Sequence, residues 1–405
     1  MNIVYNVVMI LCFLFSIYFV ITGLFTFKKR KVKTTEKLKQ HKFGILIPCR
    51  NEEAVIGSLI DSLKKLDYPE NLYEIIVIPN NCTDHTRMKA KQKGAQIIDV
   101  SIPVKSKGEV LKYTFDVLKE KDYDAYVIFD ADNVVDKNFL KAMNETLNEG
   151  FGVAQGFRDA KNPKDNYLTG SYTMFYYLQN VFYNQSRMNL HRSSAINGTG
   201  FCIKKEVIEK IGFNVKTLTE DSEFTGICAL NNIKIAFAKD AITYDEHPIE
   251  FKVSWHQRKR WSSGCFACLK RFGTSLMKSF WKKGSFCSFD CLLYYFAPIV
   301  QVISFVLPLI ASFFTLIYGL MQNKFLLDLS SFYFFFLFYL GSILLNIFTI
   351  KILHKKIKDH YKGIFGFSFF ILSWIPINMI CLFKKTKKWE PVNHTRKVGI
   401  ENILN

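Results

Sequence analysis

Four long apolar tracts constrain the fold of this chain more than any other feature. The first, Met1–Phe27, carries no charged side chain and is followed by the basic run KKRKVK. Three more close the chain, at Leu292–Leu320, Phe332–Ile350 and Gly363–Phe383. A helix needs about 20 mostly apolar residues to cross a bilayer. The sequence therefore predicts an integral membrane protein.

The basic flanks predict how the chain is oriented. Lysine and arginine next to a span favour the cytoplasmic side, and the first tract lacks the basic start and cleavage site of a signal peptide. We expect an uncleaved anchor in the plasma (inner) membrane, with its N-terminus outside and the central segment in the cytoplasm. Three crossings after that segment would leave the basic tail outside. Either the third C-terminal tract, broken by Pro376, lies in the interface or re-enters, which we favour, or Leu292–Leu320 is a hairpin.

The net charge of +19 has a similar explanation. Lysine-rich runs lie at membrane flanks, at Lys28–Lys33, Lys351–Lys358 and Lys384–Lys388, where they are attracted to anionic lipid. We therefore expect a lipid bilayer and no nucleic acid as partner.

The ten cysteines include one C-x-x-C, Cys265 and Cys268. A zinc site needs a second pair, so we expect reduced thiols.

The segment from Phe43 onward alternates short apolar runs with helical patterns, which is typical of an open α/β sheet. The predicted strands are FGILIP, YEIIVIP, AQIIDV and AYVIFDAD, and the predicted helices are Glu52–Leu66, Thr86–Lys93, Lys107–Lys119 and, farther on, Asp165–Met188. In such sheets ligands bind beyond the carboxyl ends of the strands. The segments that follow the strands, PCRNEE, PNNCTD, SIPVKSKG and DADN, are all polar.

Asp130 and Asp132 end the last of these strands, so together with a diphosphate they could hold a divalent cation, Mg²⁺ or Mn²⁺. A bare D-x-D is a weak signal, because acids at strand ends are often only solvated. Asp84 and Lys107 strengthen it, since both follow strands of the same predicted sheet.

Two later motifs supply the remaining chemistry. In LTEDSEF a carboxylate can act as general base. In QRKRW, Arg258 and Arg260 can hold phosphates by bidentate bonds, and Trp261 offers a flat face to a sugar ring. Taken alone, the first motif is equally typical of a helix N-terminus capped by Thr219, and the second of an interfacial anchor. Their joint occurrence favours a site.

The ordered motifs resemble the inverting family 2 glycosyltransferases of the membrane polysaccharide synthase type, such as cellulose, chitin, hyaluronan and poly-N-acetylglucosamine synthases. The resemblance covers Phe43–Phe272 and the tail element WEPVNHTR, and it rests on IPCRNEE, NCTD, SKG, DADN, GTGF, TED and QRKRW. It implies a GT-A α/β fold facing the cytoplasm, a UDP-sugar donor, a divalent metal ion and transfer with inversion.

The resemblance also implies a role for individual residues. The catalytic residues would be Asp221, as base, and Glu220, and the metal would bind Asp132 and Asp130. The donor-binding residues would be Pro48, Arg50, Glu52, Asn81, Asp84, Lys107, Asp130, Arg258, Arg260 and Arg396. The acceptor would contact Thr199, Gly200, Gln257 and Trp261. In the tail, Trp389, Thr395 and Arg396 would close over the donor. Two positions depart from many relatives, which have Asp at Asn81 and G-K-G at Ser106–Gly108.

The expected activity is extension of a β-linked polysaccharide or oligosaccharide at the inner face of the membrane. The alternatives are addition of one sugar to a lipid carrier and a non-catalytic subunit that binds nucleotide sugar. With about three spans after the anchor, export of a glycan would require a homo-oligomer or a partner. We expect five segments: an anchor (1–30), a GT-A domain (41–250), interfacial helices (251–290), a membrane region (291–383) and a cytoplasmic tail (384–405).

Overall fold

The computed structural model describes residues 2–30, 38–322, 330–384, 396 and 398–404. Trp389 and Thr395, two predicted contacts of the tail, lie outside the described residues.

The described part of the chain is an α/β body with long flanking helices. Its strands are β1 (Phe43–Cys49), β2 (Tyr73–Pro79), β3 (Gln96–Ile97), β4 (Ala125–Ile128), β5 (Val134–Val135), β6 (Val153–Ala160), β7 (Phe201–Lys204) and β8 (Ile235–Asp245). Its helices are α1 (Asn2–Leu24), α2 (Ile56–Leu63), α3 (Thr86–Gln92), α4 (Lys107–Val117), α5 (Phe139–Asn148), α6 (Tyr167–Leu178), α7 (Ser186–Asn189), α8 (Lys205–Ile211), α9 (Glu220–Leu230), α10 (Phe251–Lys283), α11 (Phe286–Met321), α12 (Ser330–Ile352), α13 (Tyr361–Leu372), α14 (Trp374–Phe383) and α15 (Glu401–Leu404). A π-helical segment, Gln179–Gln185, joins α6 to α7.

The strands form one mixed sheet of eight strands in the order β3-β2-β1-β4-β7-β6-β8-β5. The first four are mutually parallel where they pair, as the sequence predicts. Strand β7 then runs antiparallel to both β4 and β6, and β6 pairs with β8 in parallel. The carboxyl ends of β1, β2 and β4 therefore meet at one edge, next to the end of β8.

Both faces of the sheet are covered by helices, which explains why its strands are apolar runs. In β1, Ile45 and Ile47 pack with helix α2 on one face, and Leu46 packs with helix α4 on the other. All three side chains are fully buried, and each contributes about 1.5–3 kcal/mol relative to exposure. The period-two alternation of the strand thus places α2 and α4 on opposite faces.

Within the described ranges, four helical segments are long and apolar enough to cross a membrane: Ile3–Phe27, Phe286–Met321, Phe332–Ile352 and Tyr361–Phe383. The second of these is one continuous helix, α11, despite Pro298 and Pro308. The alternative in which Leu292–Leu320 forms a hairpin is therefore wrong.

The last apolar segment is broken between α13 and α14 at Ser373. The break precedes Pro376, which falls in the first turn of α14, where the missing N–H of proline costs little. Helix α13 packs directly on α6 of the α/β body, since a Cβ on Gly363 would lie only 2.3 Å from the carbonyl oxygen of Gly170. The two glycines thus allow a backbone contact between the last apolar segment and the sheet-bearing body.

Candidate active site

A cavity of about 530 Å³ lies at the carboxyl edge of the sheet. One side of it is formed by the residues that follow β1, β2, β4 and β8, and the other by side chains of α6, α9, α10, α11 and α14. The first side consists of the polar segments after strands, most of which the sequence predicts to bind a ligand. The second side is assembled from helices far apart in the chain.

Lys107 joins the two sides. Its ammonium group donates to Asp130 Oδ1 at 2.5 Å and to the carbonyl oxygen of Gly198 at 2.6 Å, and lies 3.3 Å from Glu220 Oε1. Burial alone would lower the pKa of Lys107, but the charges of Asp130 and Glu220 raise it above its ordinary value. Lys107 therefore remains a cation between the DADN and TED motifs.

The SKG motif explains how Lys107 reaches this position. Ser106 caps helix α4 by accepting a hydrogen bond from the backbone of Glu109, so Lys107 is the first residue of the helix. A Cβ at Gly108 would lie 2.4 Å from Val215 Cγ2 and 3.2 Å from the Cβ of Glu220. Only glycine allows the start of α4 to approach the TED segment this closely.

Asp221 lies in the first turn of α9 and lines the cavity. Helix α9 is held close to α10 at Gly264, where a Cβ would lie 2.0 Å from Thr219 Oγ1. Burial, and then the neighbouring charge of Glu220, raise the pKa of Asp221 to about 6, although Lys107 and Arg260 oppose the shift. The Asp221 carboxylate is thus a stronger base than an ordinary one.

Asp245, at the end of β8, belongs to the same site, although the motifs do not predict it. It is buried, accepts hydrogen bonds from Arg158 Nε at 2.6 Å and Asn133 Nδ2 at 2.9 Å, and lines the cavity. Burial raises the pKa of Asp245 to about 7; Arg158 opposes the shift, and Asp132 adds to it. The signal was available, because YDEHP is a polar segment directly after a strand, like DADN.

The helical side of the cavity is rich in aromatic side chains. Trp261 lies near the rings of Tyr176 and Trp374, at centroid distances of 6.4 and 6.1 Å. Tyr294 and Pro298 of α11 complete this wall. Aromatic faces bury the apolar faces of a ligand without excluding polar groups at their edges. We call this part of the cavity the helical chamber.

Three polar atoms around the cavity are buried and have no hydrogen-bond partner in the described structure: Asn197 Nδ2, His247 Nε2 and Gln257 Oε1. Buried polar groups are nearly always paired, and leaving one unpaired costs about 1–3 kcal/mol. These atoms are therefore available to a polar ligand. Of the three residues, only Gln257 belongs to a motif singled out in the sequence.

The structure brings most of the predicted site residues to the cavity and leaves others outside it. Those that line it are Pro48, Arg50, Glu52, Lys107, Asp130, Asp132, Glu220, Asp221, Gln257, Arg260 and Trp261. Those that do not are Asn81, Asp84, Thr199, Gly200, Arg258 and Arg396.

Asp84 ties two loops together. Its carboxylate accepts from the backbone of Glu53 and of Thr86, each at 3.0 Å, and from Thr86 Oγ1 at 2.5 Å. Asn81 is exposed in a left-handed conformation, and its neighbour Asn80 lines the cavity instead. Both residues lie next to the donor edge without lining the cavity, and their contact with a nucleotide stays a prediction.

Thr199 and Gly200 do not line the cavity, and Thr199 supports the DADN loop. Thr199 is fully buried, and its hydroxyl accepts from the backbone of Asp130 at 2.9 Å and donates to Asn133. Gly200 has a positive φ, and a Cβ there would lie 2.7 Å from Thr243 Cγ2. Just before them in the chain, Asn197 and Gly198 line the cavity.

Arg258 is the clearest departure from the prediction. It is fully buried, and its guanidinium donates to the carbonyl oxygen of Phe370 at 3.1 Å and to Ser373 Oγ at 2.7 Å. It faces the break between α13 and α14 because residues two apart on a helix point in different directions. Arg260, two residues on, lines the cavity and donates to the carbonyl oxygen of Leu218 at 3.0 Å. Of the two arginines expected to hold phosphate, Arg260 lines the cavity and Arg258 does not.

Arg396 lies beside the α/β body, outside the cavity lining. Its side chain pairs with Asp165, and its backbone N–H donates to Glu246, a lining residue, at 3.3 Å. The tail therefore reaches the edge of the site at this residue.

Asp130 and Asp132 both present carboxylates to the cavity. The described residues contain no group of three or more His, Cys, Asp or Glu side chains arranged to hold a metal ion. Magnesium bound with a diphosphate needs only one or two protein carboxylates. The donor set therefore fits a cation that a substrate brings with it, rather than a resident one held by protein alone.

Comparison with known proteins decides the family. The family described as "Glycosyltransferase like family 2" matches residues 41–264. The chain belongs to glycosyltransferase family 2. This glycosyltransferase is 30% identical over 257 residues to the probable glycosyltransferase YdaM of Bacillus subtilis, covering 59% of each chain. Its mixed sheet and helices resemble the mannosyltransferase PcManGT of Pyrobaculum calidifontis, with a TM-score of 0.59 at 15% identity, covering 93% of this chain and 99% of that one.

Two further relatives have more specific names. The enzyme is 26% identical to a β-monoglucosyldiacylglycerol synthase of Synechocystis, over 54% of this chain and 47% of the relative. It is 23% identical to a poly-β-1,6-N-acetyl-D-glucosamine synthase of Staphylococcus epidermidis, over 66% and 67%. The matches cover about half the length of the first relatives, 59% and 47%.

These findings confirm the GT-A fold and the expectation of an enzyme, a family 2 glycosyltransferase. The alternative of a non-catalytic subunit no longer holds.

Proposed function

We propose that the enzyme transfers a sugar with inversion from a UDP-sugar to an acceptor hydroxyl, with Asp221 as general base. The observation that carries this proposal is the position of Lys107, which contacts Asp130 of the donor edge and Glu220 of the TED motif at once. A donor diphosphate at Asp130 and an acceptor hydroxyl at Asp221 would then meet in one cavity.

The roles follow from the charges around the cavity. Asp221 takes the proton of the acceptor hydroxyl as that oxygen forms a bond to the anomeric carbon and the bond to UDP breaks. Its pKa of about 6 leaves it ionised at neutral pH and still more basic than an ordinary carboxylate. Lys107 and Arg260 stabilise the negative charge that develops on the departing UDP. A bound Mg²⁺ or Mn²⁺ at Asp130 and Asp132 would supply further charge stabilisation.

The proposed product is a β-linked oligosaccharide or polysaccharide, with Trp261 as the platform for the acceptor sugar. Support comes from the aromatic chamber and from similarity to a poly-β-1,6-N-acetyl-D-glucosamine synthase. A second candidate is addition of one sugar to a lipid acceptor. It is favoured by the extension of the chamber along α11 and α14, two candidate membrane segments, and by similarity to a β-monoglucosyldiacylglycerol synthase.

The test of the activity uses membranes that contain the enzyme, a panel of UDP-sugars, and either Mg²⁺ or Mn²⁺. We expect UDP release with one donor and its loss on chelation of the metal ion. Product length from a single labelled donor separates the two acceptor candidates, because single addition yields one product and extension yields a ladder. UDP release that persists after chelation would contradict the role of the metal.

We also propose that α1, α11 and α12 cross the membrane and that α13 and α14 do not. After α11 and α12 the chain is again on the side of the α/β body, where Arg396 pairs with Asp165 and Glu401 pairs with Lys65. A further crossing would separate the tail from these partners. The basic flanks support a cytoplasmic location for that side.

Cysteine labelling tests this arrangement. With an impermeant maleimide added outside intact cells, Gln322→Cys, after α11, should be labelled, and Lys384→Cys, after α14, should not. The unsubstituted chain is the control for its own thiols. Labelling of Lys384→Cys would contradict the proposed arrangement.

A further inference from the structure

One end of the helical chamber is formed by three helices. Tyr294, Ala297, Pro298 and Gln301 line it from α11, with the i, i+3, i+4, i+7 spacing of one helix face. Residues 371, 374 and 378 line it from α13 and α14. Among the described residues, nothing on α11 beyond Gln301 or on α14 beyond residue 378 borders the cavity.

A chain of hydrogen bonds closes this end. The indole of Trp374 donates to Ser262 Oγ at 2.9 Å, and Ser262 donates to Asn378 Oδ1 at 2.6 Å. Asn378 Nδ2 donates to Gln301 Oε1 at 2.8 Å, and Gln301 Nε2 donates to the carbonyl oxygen of Ile371 at 3.1 Å. We call these four side chains the amide wall. It links α10, α11, α13 and α14.

The helix break holds the wall in place. Ending α13 at Leu372 leaves carbonyl groups without helical partners, and buried carbonyl groups need a hydrogen-bond partner. Gln301 donates to Ile371 O, and Arg258 donates to Phe370 O. The break therefore fixes the position of Gln301 through its own backbone.

The distance from the reacting centre to the wall is short. Helix α11 passes Asp221 at Tyr294 and Tyr295, since Tyr295 donates to the carbonyl oxygen of Ser222 at 2.5 Å. Gln301 lies seven residues beyond Tyr294, which is about 10 Å along the helix at 1.5 Å per residue. This length is comparable to that of a disaccharide.

We infer that the amide wall limits how many sugar residues of an acceptor fit beyond Asp221, and so limits the length of the product. The inference rests on the proposed function, and it assigns to Gln301 and Asn378 a role in acceptor length. An acceptor that extends along α11 meets the amide wall after about two sugar residues, over the distance of about 10 Å. Further growth toward the membrane would require the wall to open.

The experiment compares two changes with opposite effects. The double variant Gln301→Ala/Asn378→Ala removes both amides at once, so neither is left as the unpaired partner of the other. Ala297→Phe fills the chamber between Asp221 and the wall. Thr315→Ala is the matched control, because Thr315 lies on α11, is exposed, and donates within its own helix to the carbonyl oxygen of Ala311.

The readout is the length distribution of labelled products made by the full-length enzyme in membranes with the active UDP-sugar. The chains are compared at equal donor conversion, because product length also rises with total turnover. We expect products longer than the wild-type limit from the double variant, shorter products from Ala297→Phe, and no change from Thr315→Ala. Thermal melting of the purified chains checks that each variant is folded.

The outcomes separate the two claims. If wild-type enzyme releases no UDP and forms no product with any donor, the proposed function is overturned, and the inference with it. If transfer occurs and all four chains give the same length distribution, the inference alone is overturned, even should the double variant melt at a lower temperature.

Discussion

The donor edge and the helical chamber form one cavity, but they are built in different ways. The donor edge consists of short polar segments that follow neighbouring strands, and its central carboxylate, Asp130, is only 23 residues from its partner Lys107. In the chamber, Trp261 faces Trp374 across more than 100 residues of sequence. Parallel strands bring their carboxyl ends to one edge whatever the loops contain, whereas the chamber exists only because several helices pack together.

The two parts also carry different chemistry. The donor edge is charged, with Lys107 between Asp130 and Glu220. The chamber wall is aromatic, and its far end is closed by neutral amides. Charge stabilises a diphosphate, and aromatic and amide groups suit a sugar. Asp221 lies where the two parts meet.

The largest effect is expected at this junction. Asp221→Asn keeps the shape of the side chain and removes its basicity, so kcat should fall about 10²–10⁴-fold while UDP-sugar binding is retained. Turnover and equilibrium binding of the donor measure the two quantities. Asp240→Asn, an exposed change on β8, is the control and should have no effect. Undiminished transfer by Asp221→Asn would remove the general base from the mechanism.

Loss of the link between the two parts should have the next largest effect. Lys107→Met removes the cation shared by Asp130 and Glu220, and a charged hydrogen bond contributes about 1.5–3 kcal/mol. We therefore expect kcat/KM for the donor to fall about 10- to 100-fold. Lys112→Met, an exposed change on the same helix, tests for a general effect of charge. Equal losses of kcat/KM in Lys107→Met and Lys112→Met would contradict the specific role of Lys107 between Asp130 and Glu220.

The two arginines of QRKRW should separate stability from catalysis. Arg258→Met removes the donors to Phe370 and Ser373, so the melting temperature should fall while the donor KM stays within about twofold of wild type. Arg260→Met removes a cation that lines the cavity, so kcat/KM should fall about tenfold with little change in melting. A raised donor KM in Arg258→Met with unchanged melting would restore the predicted phosphate clamp.

The smallest expected effect concerns the pH dependence of kcat/KM. Asp221 must be ionised to act as a base, so kcat/KM should decline as the pH falls through about 6. Glu220→Gln removes a negative neighbour that raises the pKa of Asp221, so the midpoint of the profile should move to lower pH. Asp240→Asn should leave it in place. A midpoint that moves upward would contradict the assigned electrostatics.

The sequence predicted the α/β fold and the polar residues after each strand because apolar runs, helical periodicity and polar loops are local patterns. It did not predict which arginine of QRKRW faces the site, since that depends on the rotation of α10 against α13. Asp245 could have been found by applying the strand-end rule to YDEHP. Tyr294, Gln301 and Asn378 could not, because whether they face the cavity depends on how α11 and α14 pack against the rest of the chain.

The most direct test of the account is an experimental structure of the Asp221→Asn enzyme with its UDP-sugar and Mn²⁺. The account predicts the diphosphate at Asp130 and Asp132, and the sugar at the junction with the helical chamber, within hydrogen-bond reach of residue 221. A donor sugar that points away from residue 221, with the chamber separated from it, would contradict the account.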